Sequence, residues 1–101
     1  MTMADRIRAK LEAALAPDRI DIEDQSARHA GHAGSRPGGE THYAVHVVAG
    51  AFRGLGRVER QRLVYRALAT ELAEGVHAQG IHALAIRAET PEEVAAGDPP
   101  R

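Results

Sequence analysis

The chain is predicted to be an α+β sandwich, a three-stranded sheet with its helices packed on one face. Three observations lead there. Ile7-Leu11-Leu15 and Val64-Leu68-Leu72 each place large apolar residues one helical turn apart. Ile20/Ile22, Tyr43/Val45/Val47 and Leu84/Ile86 alternate with smaller or polar residues, the period of a strand with one buried face. The resulting order of helix, strand, strand, helix, strand and short helix suits two layers around one core.

The first helix is expected from about Met3 to Leu15, with Arg6, Arg8, Lys10 and Glu12 on its wet side and Pro17 to stop it. A strand follows over Arg19–Asp24. Residues 25–39 are rich in Gly, Ser, His and Pro and hold no large apolar residue, so they read as a long, flexible loop of functional interest. Thr41–Val48 is the second strand, with His42, Ala44 and His46 opposite the apolar face. Ala51–Gly56 is turn-like. The second helix starts near Arg57 and ends around Gly75–Gly80, and Ile81–Ala88 is the third strand, with His82 on the face of Leu84 and Ile86. Thr90-Pro91-Glu92-Glu93 has the form of a helix start: an N-cap, a proline at the first helical position and a capping-box glutamate. Residues 95–101 are expected to be a disordered tail.

At 101 residues the chain reads as one domain spanning 1–101. Its formal net charge of −1 argues against bulk nucleic-acid affinity but leaves room for a local basic face. The absence of cysteine excludes disulfides, a catalytic thiol and a cysteine-ligated cluster held by this chain alone. No apolar run reaches membrane-spanning length and Met1–Asp5 lacks a signal-peptide core, so a cytoplasmic protein without membrane partners is expected. There is no phosphate-cradling glycine loop, no paired-carboxylate arrangement and no nucleophile beside a base; Ser26 with His29 lacks an oxyanion site. An enzyme is therefore not expected.

Six histidines carry the chemical interest, because imidazole is the commonest side-chain metal ligand. His29 and His32 lie in the loop, His42 and His46 on the second strand, and His77 and His82 before or at the third. His29 and His32 could chelate zinc or nickel, but a tetrahedral site needs further ligands. His42 and His46 read better as exposed sheet residues, with His42 kept as a secondary candidate. A solvated loop histidine at 29 and a strand histidine satisfied by a carbonyl at 82 are the plainer alternatives. Arg53, Arg57, Arg60, Arg62 and Arg66 fall in one short stretch offset only by Glu59. They form either a phosphate-contacting patch or the wet face of an amphipathic helix. Gly54-Leu55-Gly56 approaches but does not match the Gly-x-x-Gly clamp of RNA-binding KH domains.

Several segments together resemble the BolA proteins: Ser26-Ala27-Arg28-His29-Ala30-Gly31-His32, Gly39-Glu40-Thr41-His42-Tyr43, Ala51-Phe52-Arg53-Gly54-Leu55, Arg57–Tyr65 and His82–Glu93. They cover nearly the whole chain in the family's order. The resemblance implies a fold similar to class II KH domains. It implies a partner, a monothiol glutaredoxin with glutathione, around a shared [2Fe-2S] cluster, with no cofactor and a monomeric state when alone. It also implies, for some members, DNA binding in the regulation of cell shape and stress response. Carried onto this chain, the cluster ligands are His29 and His82, with thiolates supplied by the partner. His32, His77 and His42 are secondary candidates. The five arginines would serve partner docking or DNA contact. Two departures matter: Arg60-Gln61-Arg62 stands where the family usually shows Arg-His-Arg, and counting from Tyr65 without a gap reaches His77 rather than His82.

Overall fold

A computed structural model describes residues 2–25, 42–75 and 83–97. Helix α1 spans Met3–Leu15 and opens with a capping box, in which the Thr2 hydroxyl accepts from the Asp5 N–H and the Asp5 carboxylate accepts from the Thr2 N–H. It ends on Ala16 in the left-handed region (φ 44°), one residue before Pro17. Strand β1 is Arg19–Asp24, and β2 is His42–Val48. A 3-10 turn over Gly50–Phe52 and a left-handed Gly54 (φ 78°) redirect the chain into α2, Arg57–Ala67. Helix α3 spans Ala69–Gly75, β3 spans Ala83–Glu89 and α4 spans Pro91–Ala96.

The sheet order is β1-β2-β3, with β1 antiparallel and β3 parallel to the central β2. Its inner face carries Ile20, Tyr43, Val45, Val47 and Ala88. Met3, Ile7, Leu11 and Leu15 of α1, Val64 and Leu68 at α2, and Phe52 close over it. Tyr43, Val47, Phe52, Ile7, Leu11, Val64 and Leu68 are almost wholly removed from water, so burial of these side chains is the principal stabilising term. Leu84, Ile86 and Leu72 pack against this core but are only partly covered. The two-layer α+β architecture read from the sequence is the one observed.

Two expectations need correction. The second helix is not continuous. At Leu68 the backbone leaves the helical region (φ −107°, ψ 20°), which separates α2 from α3. Leu68 stays fully buried, so the apolar stripe runs on across the break. The stretch expected to be a tail from residue 95 is helical through Ala96, where Gly97 (φ 75°) closes α4 by accepting a left-handed conformation that costs a glycine little. Val94 of α4 and Gly97 line a hollow with Arg19, His46, Arg87 and Glu89 of the outer face. The proposed loop over 25–39 lies, beyond Gln25, outside the described residues, as do residues 98–101 of the tail. Among the described residues no helix is long and apolar enough to cross a membrane.

Candidate functional site

One end of the sheet gathers every connection that bears a candidate ligand. Asp24 at the end of β1 pairs with Tyr43 near the start of β2, and His42, the first residue of β2, pairs with Ala83, the first residue of β3. The Gln25 N–H donates to the His42 carbonyl at 2.7 Å, which fastens the junction. The segment holding His29 and His32 therefore leaves and re-enters the sheet at this end, and the segment holding His77 and His82 enters it there. His29, His32, His77 and His82 themselves lie outside the described residues. His42 is half-buried at this end. Among the described residues no group of three or more His, Cys, Asp or Glu side chains is placed to hold a metal ion.

The five arginines divide into two sets. Arg60 is 7% exposed and built into the fold. Its Nε donates to the Leu55 carbonyl (2.9 Å), Nη1 to the Ala88 carbonyl (3.1 Å) and to Glu93 Oε1 (2.6 Å), and Nη2 to Glu93 Oε2 (3.1 Å). Bonding to Arg60, helped by the Thr90 N–H, holds the Glu93 carboxyl at a pKa of about 2. Arg53 forms a two-bond pair with Glu92, at 2.9 and 2.7 Å, on the surface. That pair raises the arginine's pKa and lowers the glutamate's. Arg60 thus does not belong to an exposed basic face. The cause is the capping box of α4, whose glutamate sits within reach of α2 and draws the guanidinium inward.

Arg57, Arg62 and Arg66 remain exposed. Sequence reasoning missed their apolar companions. Val58 (60% exposed) and Tyr65 (43%) lie two turns apart on α2, and Arg62 shares their face between them. A helical wheel carries that signal, since residues 58, 62, 65 and 66 fall opposite the buried Val64. The result is an outward stripe of one aliphatic, one aromatic and two guanidinium side chains, the composition that interface cores and their rims favour.

A second cluster was also missed. His46 was read as an ordinary exposed strand residue, yet its Nε2 lies 2.6 Å from Glu89 Oε1 and its Nδ1 3.8 Å from Asp21 Oδ2. No local spacing signals this, because the three residues come from three different strands. Glu71 is likewise buried on α3, where Arg6 Nη2 at 2.9 Å and Lys10 Nζ at 3.7 Å from α1 offset its charge.

The family model described as BolA-like protein matches residues 11–93. The chain belongs to the BolA family. Among its relatives, the BolA-like protein 1 of Mus musculus is 47% identical over 87 residues, covering 86% of this chain and 57% of that protein. The DNA-binding transcriptional regulator BolA of Escherichia coli is 38% identical over 87 residues, covering 86% of this chain and 79% of that one. Among solved structures, BolA1 from Arabidopsis thaliana superposes with a TM-score of 0.75 at 40% identity, over 92% of this chain and 96% of that chain. Some BolA relatives are much longer: this chain spans little more than half of the mouse protein. The names of these relatives are those of BolA-like proteins or a regulator, and none is that of an enzyme.

Proposed function

We propose that this BolA protein is a non-catalytic cytoplasmic adaptor that docks a monothiol glutaredoxin and helps to ligate a [2Fe-2S] cluster shared with it. One observation supports this above the others: the connections bearing His29 and His82 are both anchored at the same end of the sheet, where Gln25, His42 and Ala83 meet. The donor chemistry is consistent with sharing. The chain has no thiolate, and the described residues hold no complete metal site. Two imidazoles can replace two thiolates on one iron of such a cluster, which raises its reduction potential. The partner and its glutathione would provide the two sulfur ligands. His29 and His82 are the proposed imidazole donors, with His32, His77 and His42 in reserve. The stripe Val58-Arg62-Tyr65-Arg66 is the proposed docking face, since guanidinium groups pair with carboxylates of a protein or of glutathione.

The test is visible absorption and circular dichroism of a cluster-loaded monothiol glutaredoxin titrated with this chain. The expected result is a spectral change that saturates at one-to-one, is lost in His82→Ala and in His29→Ala, and survives His77→Ala. An unchanged spectrum with the wild-type chain rejects the shared cluster.

A second reading, a DNA-binding regulator, is favoured by the same exposed arginines and by the name of the Escherichia coli relative. It predicts DNA affinity that falls steeply with salt and weakens in Arg62→Ala with Arg66→Ala. Arg60→Ala is not a clean probe of either reading, because that side chain is structural.

A further inference from the structure

The outer face of the sheet plays no part in the reading above, yet it carries an organised polar cluster. Glu89 ends β3 on that face and is only 2% exposed. A carboxylate so far from water needs charged or hydrogen-bonding partners. His46 Nε2 at 2.6 Å and Arg87 Nε at 3.0 Å both meet its Oε1. On the far strand, Arg19 Nε donates to Asp21 Oδ2 at 2.6 Å, and that oxygen lies 3.8 Å from His46 Nδ1. The row Arg19, Asp21, His46, Glu89, Arg87 thus crosses all three strands, with a carboxylate on either side of the imidazole. Arg19 is hydrogen-bonded and Arg87 ion-paired through Nε. Among the described residues, neither donates a hydrogen bond through Nη1 or Nη2.

Arg19, Arg87 and His46 line a hollow of about 360 Å³ between the sheet and α4, whose other walls are Glu89, Val94 and Gly97. We propose that this hollow binds a small molecule bearing an oxyanion, a phosphate or a carboxylate, gripped by the Nη groups of Arg19 and Arg87. A planar guanidinium matches such oxygens in a two-point fork, and the contacts at Nε narrow the positions open to that fork before the ligand arrives. Glu89 lines the hollow too, but its Oε1 is already met by His46 Nε2 and Arg87 Nε. The two arginines are balanced by Asp21 and Glu89, so selectivity comes from the geometry of the fork and not from a strong field. Val94, 43% exposed, offers the ligand's body an apolar contact. The volume suits a molecule the size of pyrophosphate or citrate and is too small for a polymer.

Amide NMR spectra of the full chain, titrated at constant ionic strength with pyrophosphate and separately with citrate, test the proposal. Saturable shifts at Arg19, His46, Arg87 and Gly97 are expected with at least one of the two, and the stronger binder tells phosphate from carboxylate. Arg19→Gln with Arg87→Gln should weaken that binding about tenfold or more, the scale of losing a charge-assisted contact. Both side chains are more than half exposed, at 62% and 54%, so the fold should survive their replacement. Arg62→Gln with Arg66→Gln, the same charge change on α2, should leave binding intact. The proposal is overturned if neither anion gives saturable shifts up to tens of millimolar, if the shifts gather at Arg57, Arg62 and Arg66, or if Arg19→Gln with Arg87→Gln binds as well as the wild type.

Discussion

Arg60 and Arg62 are neighbours on α2 with opposite fates: one is enclosed by Leu55, Ala88 and Glu93, and the other faces solvent. Removing Arg60 strands a partly buried carboxylate and frees two carbonyls. Arg60→Ala should therefore cost about 3 kcal/mol in urea unfolding, whereas Arg62→Ala should stay within about 0.5 kcal/mol of wild type. The same pair has a pH signature. The Glu93 pKa falls from an ordinary 4.5 to about 2 in the folded state. A lowered carboxylate pKa means that stability is fully present above pH 4.5 and is lost as the pH drops towards 2. Acid titration followed by circular dichroism should show a shallower loss in Glu93→Gln than in wild type across that window. Asp5 and Glu92 act in the same direction, so the difference between the two proteins, and not the wild-type slope, isolates Glu93.

At the scale of elements, two helices begin with the same device under different burial. Thr2 caps α1 in solvent, whereas Thr90 caps α4 at 5% exposure with its glutamate already engaged by Arg60. Thr90→Ala should cost about 1.5 kcal/mol and Thr2→Ala about 0.5 kcal/mol by urea unfolding, with serine restoring most of each loss. The Thr90 cap is legible in the sequence and the Thr2 cap went unread, although each has its partner three residues away. The helical stripe of Ile7, Leu11 and Leu15 and the alternation of Tyr43, Val45 and Val47 were legible because each pattern is read within one element. The break at Leu68 was hidden, since the residue keeps its place in the apolar stripe while its backbone departs from the helix. Arg60 was misplaced because its decisive acceptor is 33 residues away. His46 was undervalued because Glu89 approaches from the other side of a parallel pair that no local spacing announces.

Across the whole molecule, the mixed sheet separates its two ends by task. One end, at Val48 and Glu89, is locked by α4, Arg53 and Arg60, and the other anchors the histidine-bearing connections. Residues 25–41 join two antiparallel neighbours, a junction that two to five residues ordinarily make. Loop closure becomes less favourable by about 0.6 kcal/mol for each doubling of length, so this connection costs the fold on the order of 1 kcal/mol. A chain with residues 26–41 replaced by Asn-Gly should resist urea better by about that amount while losing any dependence of a partner's cluster spectrum on His29. Folding alone would favour the shorter chain. The entropy lost in closing this connection is therefore a standing cost to the fold, met before any partner binds.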